Sequence, residues 1–99
     1  MIRFPDPLKF EWDEGNKEKN WLKHQVKQTE AEEVFFDRHK KLAKDVLHTT
    51  TAETRYILLG KTKGKRLLFV VFTIRNGSIR VISARDANRK ERPLYEKEA

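Results

Sequence analysis

The sequence contains no cysteine among its 99 residues, which excludes disulfide crosslinks and zinc sites built on thiolates. It also lacks an apolar run long enough for a membrane helix, and its opening residues, Met1–Pro5, do not have the composition of a signal peptide. We therefore expect a soluble, cytoplasmic protein with no membrane partner. Because the chain also lacks a glycine-rich phosphate loop and any Asp, Glu or His grouping with metal-ligand spacing, we expect neither a cofactor nor a metal.

Acidic residues are scarce in only one half of the chain. Residues 1–52 hold 10 Lys and Arg against 10 Asp and Glu, whereas residues 53–99 hold 12 against 5, so the second half carries the whole net charge of +7. A basic excess confined to one part of a chain is typical of proteins that bind polyanions, nucleic acid first and an acidic protein second. The alternative is a basic surface that does no more than keep the protein soluble.

The length predicts one hydrophobic core, and we expect a single domain over residues 1–99. In the first half, the alternation of polar and apolar residues over Lys9–Trp12 predicts a short strand. Asp13 is placed to cap a helix that runs from Glu14 to about Lys23, with an acidic first turn that suits the helix dipole.

A second helix is predicted by Thr29 and Glu32, which have the spacing of a capping box. It should end near Asp37, and the residues it should bury are Ala31, Val34 and Phe35. The segment His39–Thr51 has the weakest pattern and predicts a weak strand or an irregular stretch.

The second half has the pattern of an antiparallel sheet. Strands are predicted over Tyr56–Leu59, Leu67–Ile74 and Ile79–Ala84, and the nearly continuous apolar run of the second favours a central strand covered on both faces. Asn76 and Gly77 form the strongest short hairpin signal, because both turn positions favour positive φ.

The end of the chain predicts a short helix. Asp86 is placed to cap it from Ala87, and Pro93 should kink or end it within two turns because proline lacks an amide hydrogen. The predicted fold class is therefore α+β, with β-α-α followed by an antiparallel meander of three to four strands and a short C-terminal helix.

Arg80 is the residue that the predicted sheet holds most rigidly, because it lies between apolar residues on the last strand. Its guanidinium is a fork suited to a scissile phosphate. The alternative is a structural salt bridge, with Glu53 and Glu91 as the candidate partners. Regular strand alternation places Arg85 on the opposite face of the sheet from Arg80.

Lys23 and His24 close the first helix, where cations gain from the helix dipole, so simple helix capping explains them. The functional alternative is that His24 transfers a proton near neutral pH while Lys23 stabilises a phosphate. We interpret His39 and His48 as surface residues.

RNA cleavage is a reaction that cations and titratable groups can catalyse without a metal. The ribose 2′-hydroxyl attacks the neighbouring phosphate once a base removes its proton, cations stabilise the phosphorane, and an acid protonates the leaving 5′-oxygen. The need for a 2′-hydroxyl restricts such an enzyme to RNA. The candidate catalytic residues are Lys23, His24, Arg55, Arg80, Arg85 and Tyr95. The candidate RNA-binding residues are Lys61, Lys63, Lys65, Arg66, Arg75 and Arg89.

Several motifs together resemble a known family. They are Phe10-Glu-Trp-Asp13, Asn20, Lys23-His24, the segment Ala31–Asp37, Arg55, Gly60, the segment Ile79–Ala87, Glu91 and Tyr95. In combination they are similar to the BrnT toxins of type II toxin–antitoxin systems, over almost the whole chain. The resemblance implies a RelE-like α+β fold and a ribonuclease that arrests translation.

The resemblance also implies a partner, an antitoxin of the BrnA type with a ribbon-helix-helix part, through which alone the toxin would reach operator DNA. It places basic and aromatic functional candidates at the six catalytic positions. The sequence departs from the family pattern at Gln25, where glycine is usual, and at Phe72, where tyrosine is frequent. Pro93 interrupts the final helix just before Tyr95.

The residues themselves leave three functions open. The first is a metal-independent endoribonuclease toxin. The second is a non-catalytic RNA- or nucleic-acid-binding module that uses stacking and phosphate contacts alone. The third is a structural subunit whose basic face docks an acidic protein. RNA cleavage products would distinguish the first from the second, and RNA affinity of the isolated chain would distinguish the second from the third.

Overall fold

The described part of the chain is a mixed sheet with helices on it, which confirms the α+β class. The computed structural model describes residues 4–97; residues 1–3 and 98–99, which the single-domain prediction includes, lie outside this range. The strands are β1 (Phe10–Glu11), β2 (Lys41–Lys44), β3 (Tyr56–Lys61), β4 (Leu67–Arg75) and β5 (Ser78–Asp86). The helices are α1 (Glu14–His24), α2 (Gln28–Glu33) and α3 (Arg92–Glu96), and a 3-10 helix (Val34–Phe36) follows α2.

The sheet has the strand order β1-β5-β4-β3-β2. Strands β2 to β5 form the expected antiparallel meander, and Asn76 and Gly77 turn from β4 to β5 with positive φ values of 52° and 75°. The first strand lies parallel to β5, with Phe10 opposite Ile79, a pairing that local sequence patterns do not predict. Within residues 4–97, no helix has the length and apolar character to cross a membrane.

The main core lies between the sheet and the layer formed by α1, α2 and the 3-10 helix. Alternate residues of β4 point into it, and Leu68, Val70 and Phe72 are fully buried. The Phe72 ring packs 5.0 Å from the ring of Phe35 and 5.5 Å from the ring of Tyr56. Phe72 therefore sits in an aromatic cluster at the centre of the core, away from solvent.

A single-residue β-bulge interrupts β5. Val71 lies opposite Ser83 and Phe72 lies opposite Val81, which leaves Ile82 without a partner on β4. Because the extra residue reverses the alternation, Arg80 and Arg85 both lie on the face away from the main core. The expectation that they lie on opposite faces is therefore wrong, and the bulge is the reason. We call this face of the sheet the open face.

Helix α1 covers the edge of β5 that the short β1 leaves unpaired. The Asn16 amide nitrogen donates to the carbonyl of Val81 (3.5 Å), and the amide N–H of Ala84 donates to the Asn20 side-chain oxygen (3.2 Å). The helix begins as expected, with the Asp13 carboxylate accepting from the amide of Gly15 (2.8 Å). Its side chains thus replace a neighbouring strand along the outer part of β5.

The second helix begins differently from the expectation. Its N-cap is Lys27, whose amide donates to the carboxylate of Glu30 (3.0 Å). Glu32 does not complete a capping box with Thr29, because its carboxylate accepts instead from the indole N–H of Trp12 (2.7 Å). The expected burial of the three apolar positions is confirmed; they are Ala31, Val34 and Phe35.

The C-terminal helix begins later than the sequence pattern indicates. Asp86 ends β5 and caps no helix. Asn88 and Glu91 form a reciprocal pair, each side chain accepting from the other's backbone amide at 2.9 Å. Pro93 then lies in the first turn of α3, where its missing N–H has no helical partner to lose, so it starts this helix and does not kink it.

Gly60 allows the 3-10 helix to pack directly on β3. A Cβ atom at this position would lie 2.8 Å from the carbonyl oxygen of Val34. We predict that Gly60→Ala lowers the free energy of unfolding by about 1–3 kcal/mol, because the backbone contact must open. The matched control is Gly64→Ala, whose Cβ would meet only the Thr62 hydroxyl at 3.8 Å. Urea unfolding should separate the two variants, and equal midpoints would contradict this account of the packing.

Candidate nucleic-acid interface

Arg80 extends from β5 onto the open face, directly across from Thr73. Its Nε atom lies 3.7 Å from a Glu11 carboxylate oxygen, and its Nη2 atom lies 4.0 Å from an Asp13 carboxylate oxygen. Both separations exceed the 2.7–3.2 Å that is typical of an N–H···O hydrogen bond. Neither of the partners expected for a structural salt bridge is used. The sheet holds Arg80 in place while its guanidinium is only loosely paired, and its side chain is 24% exposed.

Arg85 lies on the same face but is paired tightly. Its two terminal nitrogens each lie 2.8 Å from a carboxylate oxygen of Glu91, and the guanidinium stacks 4.1 Å from the centre of the Phe69 ring. Hydrogen bonds from Arg85 lower the pKa of Glu91, and the same bonds raise the pKa of Arg85. A phosphate would therefore have to displace Glu91 to reach this guanidinium.

Along β4, the positions opposite Arg80 and Arg85 are four residues, or about 13 Å, apart.

Arg55 and Arg75 lie at the end of the sheet where Arg80 lies. Arg55 directly precedes β3, and Arg75 ends β4. They share the carboxylate of Glu53, with distances of 3.3 Å to the Arg55 Nε atom and 3.1 Å to the Arg75 Nη2 atom. Because the Arg55 and Arg75 side chains are more than a third exposed, these ion pairs compete with water. This end of the sheet therefore carries three arginines beside one shared acid, Glu53, and two acids at longer distances from Arg80, Glu11 and Asp13.

Arg66, which the sequence predicts to contact RNA, is instead bonded at all three of its nitrogens. Nε and Nη2 donate to the carboxylate of Asp86 at 2.6 and 3.0 Å. Nη1 donates to the carbonyl of Gln25 and the carboxylate of Glu30, and Nη2 also donates to the carbonyl of His24. Hydrogen bonds from Arg66 hold the pKa of Asp86 below its ordinary value. These contacts leave no guanidinium N–H for a phosphate.

Lys23 and His24 end α1 at the opposite end of the sheet from Arg80. The helix closes with Gln25 in the left-handed conformation, at φ 52° and ψ 39°. Gln25 thus adopts at this turn the conformation that glycine favours, so the departure from the family pattern leaves the turn in place. The backbone carbonyl of His24 is fixed by Arg66 at 2.9 Å, which sets where the helix ends.

Tyr95 is buried and bonded to an acid that the sequence does not single out. Its hydroxyl donates to the carboxylate of Asp37 at 2.6 Å, and the backbone amide of Lys61 donates to the same oxygen at 2.7 Å. Burial, followed by the hydrogen bond to Asp37, raises the pKa of Tyr95 to about 12. Burial alone would raise the pKa of Asp37, but hydrogen bonds from Tyr95, Lys61 and His39 outweigh it and lower that pKa. At neutral pH Tyr95 is a donor to Asp37 and not a base.

A groove of about 1400 Å³ opens between α2 with its 3-10 helix, β2, the β3–β4 turn and α3. Its basic lining residues are Arg38, His39, Lys40, Lys41, Lys61, Lys63, Lys65 and Lys97. We call it the lysine groove. Tyr95 also lines it, so the groove brings together one predicted catalytic residue and three of the six predicted RNA-binding residues. His39 lies on this surface too, although no sequence pattern connects it with the lysines.

The six candidate catalytic residues do not converge on one point. Arg55 and Arg80 lie at one end of the sheet, whereas the rest lie towards the other end; these are Lys23, His24, Arg85 and Tyr95. Arg89 is exposed in the turn before α3. Within residues 4–97, no cluster of three or more His, Asp or Glu side chains has the arrangement of a metal site.

Comparison with known proteins identifies the family. A family model described as the ribonuclease toxin BrnT of type II toxin–antitoxin systems matches residues 12–91. The chain belongs to the BrnT family. The crystal structure of the Brucella abortus ribonuclease toxin BrnT superposes with a TM-score of 0.61, at 25% sequence identity, and the match covers 83% of this chain and 99% of that one. A search of curated protein sequences found no match. As a BrnT-family toxin, the chain has RNA as its substrate class and an antitoxin as its partner class.

The Tyr95–Asp37 hydrogen bond predicts how this BrnT-family chain responds to alkali. The pKa of Tyr95 in the folded protein, about 12, lies above the value of about 10 for an unfolded tyrosine. The protonated hydroxyl therefore stabilises the folded state fully below about pH 10, and this contribution is lost as pH rises through about 12. In a Tyr56→Phe background Tyr95 is the only tyrosine, and ultraviolet difference absorbance should report its midpoint near 12. Asp37→Asn should lower that midpoint and the exposed control Glu14→Gln should not. An unchanged midpoint in Asp37→Asn would refute the assignment.

Proposed function

We propose that this BrnT-family chain is a metal-independent endoribonuclease that cuts RNA through attack of the ribose 2′-hydroxyl, and that residues 1–99 act as one toxin domain. The observation that carries this proposal is the placement of Arg80. Its guanidinium is fixed on a strand and lies 3.7 and 4.0 Å from the nearest carboxylate oxygens, beyond hydrogen-bond distance, so a phosphate can replace these contacts with bidentate hydrogen bonds. Such a charge stabilises the phosphorane more than the starting diester, because negative charge grows on the phosphate oxygens in the transition state.

The proposed reaction balances without an outside reagent. The 2′-oxygen forms a new bond to phosphorus as the bond to the 5′-oxygen breaks, which leaves a 2′,3′-cyclic phosphate and a 5′-hydroxyl. The 2′-hydroxyl proton passes to a base and the 5′-oxygen takes a proton from an acid. Among the candidate residues, His24 carries the imidazole, a group that can accept a proton at one ring nitrogen and donate one from the other.

We propose that the candidate residues act as two groups. Arg80 binds the scissile phosphate at one end of the open face, and Arg55, at the same end and two strands away, adds positive charge. Arg85 lies about 13 Å away along the same face and contacts the RNA strand once a phosphate displaces Glu91. Lys23 and His24, at the end of α1, contact the strand where it passes the edge of β5. Arg66 and Tyr95 hold the fold in place and act on the reaction only through the segments that they fix.

We further propose a BrnA-type ribbon-helix-helix antitoxin as the partner, with operator DNA bound only through that antitoxin, and the cytoplasm as the place of action. The family membership supports this proposal, since type II toxins are inhibited by a protein antitoxin. The excess of positive charge in residues 53–99 suits a partner with an acidic surface.

The decisive test is cleavage of a single-stranded RNA in EDTA by the purified protein. The wild type should produce 2′,3′-cyclic phosphate ends, and a 2′-deoxy substitution at the scissile nucleotide should abolish the cut. Arg80→Ala should lower the cleavage rate by about 10²–10³-fold, as expected for loss of one transition-state donor. The matched control is Arg92→Ala, which removes an exposed arginine at the start of α3 that belongs to neither candidate set and should change the rate less than tenfold.

Other outcomes would identify the alternatives. RNA that binds tightly but stays intact at high enzyme excess, with and without ribosomes, would indicate a non-catalytic binding module. RNA that neither binds nor is cut would indicate a subunit that docks an acidic protein. Equal cleavage rates for Arg80→Ala and Arg92→Ala would remove Arg80 from the mechanism.

A further inference from the structure

We propose that the lysine groove is a binding site for single-stranded RNA in which the ring of Phe36 stacks against an unpaired base. The inference rests on the proposed ribonuclease function, and it assigns to the groove the strand that flanks the cut. Phe36 lines the groove and is 66% exposed, which makes it an aromatic surface surrounded by cations. Phe36 lies outside the basic second half, and the family resemblance includes it in the segment Ala31–Asp37 without giving it a role.

The basic side chains of the groove are more available to a ligand than its acidic side chains. Its eight basic residues face four acids, which are Glu32, Glu33, Asp37 and Glu96. Three of these acids already accept hydrogen bonds inside the protein: Glu32 from Trp12 at 2.7 Å, Glu33 from the amide of Lys63 at 3.1 Å, and Asp37 from Tyr95 at 2.6 Å. By contrast, no ion pair of Lys63 or Lys65 occurs within residues 4–97. The groove therefore offers its positive charge to an external polyanion.

The backbone around Phe36 is fixed on both sides. Val34 and Phe35 precede it in the 3-10 helix and are almost completely buried, at 0% and 2% exposure. Asp37 follows it and is held by the hydroxyl of Tyr95 and the backbone amide of Lys61. Single exposed apolar residues are common on protein surfaces. Phe36 differs in that a rigid turn presents its ring within a cationic groove, so little conformational entropy is lost when a base stacks on it.

The combination of a cationic groove and an aromatic ring favours single-stranded RNA over other polyanions. Lysines contact the phosphates of any nucleic acid, but only a strand with unpaired bases can place a base face on a ring. An acidic protein segment would use the lysines and gain no specific advantage from an exposed phenyl ring. The occupant that uses both features is a single strand with unstacked bases, and the proposed ribonuclease function makes that strand RNA.

The experiment measures binding separately from cleavage. A short single-stranded oligonucleotide that carries 2′-O-methyl groups cannot be cut by 2′-hydroxyl attack, and fluorescence anisotropy gives its affinity for the full-length chain. Phe36→Ala should weaken binding by roughly tenfold, the range expected for loss of one base–aromatic stack, whereas Phe36→Trp should bind at least as well as wild type. The matched control is Leu47→Ala, which removes another exposed apolar side chain, 91% exposed, outside the groove.

The salt dependence tests the lysines. A Lys63→Ala, Lys65→Ala double variant should reduce the slope of log affinity against log salt by about 0.7 for each phosphate that a lysine no longer neutralises. Lys19→Ala, on the exposed surface of α1, should leave the slope unchanged. Thermal unfolding of each variant shows whether it is folded as the wild type is.

The two proposals fail in different ways. If RNA is cut but Phe36→Ala and the double lysine variant bind the oligonucleotide as the wild type does, the groove is not the RNA site, although the ribonuclease proposal stands. If groove variants lose binding while the wild type cuts no RNA, the groove inference holds and the catalytic proposal is overturned. Loss of affinity for an acidic protein partner alone, with RNA binding intact, would also overturn the groove inference.

Discussion

The guanidinium of Arg66 joins segments that are far apart in the sequence: the end of α1, the first turn of α2, and the adjacent ends of β4 and β5. Without it, two backbone carbonyls and two carboxylates would be left near one another with no cation between them. An ion pair that is a quarter exposed adds little stability by itself, but removing one partner from a set of hydrogen bonds leaves the others unsatisfied. This one side chain therefore links the end of α1, the first turn of α2 and the last residue of β5.

The arginines of the sheet show how context separates structural from functional use. Arg66 and Arg85 each face a carboxylate at hydrogen-bond distance, and those bonds lower the pKa values of Asp86 and Glu91. Arg80 has carboxylates nearby without a bond to either. All three residue positions look equivalent in a basic sequence, because composition records the number of charges and not the carboxylates that each one meets after folding.

Sequence patterns predicted correctly the turns and caps that depend on neighbouring residues. They failed where a residue distant in the sequence binds the same group. The Asn76-Gly77 turn and the Asp13 cap formed as expected, since both depend on neighbours in the chain. Asp86 did not become a cap, because Arg66, twenty residues away, binds its carboxylate. For the candidate nucleic-acid interface, the sequence predicted the basic second half, Arg80 and the lysines of the β3–β4 turn. The Asp37–Tyr95 bond and the exposure of Phe36 depend on how α3 and the 3-10 helix meet, which no local pattern encodes.

The bulge at Ile82 decides which face of the sheet each later side chain of β5 occupies. In a regular strand, the number of residues between two side chains decides whether they share a face, and one extra residue shifts every later position by one step. A relative with a regular strand of the same length would turn its last strand arginine towards the main core, whereas a relative without the bulge and with one residue fewer here would keep that arginine on the open face. The bulge is therefore as much a constraint on the open face as the arginines themselves, and an ungapped alignment with a relative that lacks it would pair residues from opposite sides of the sheet.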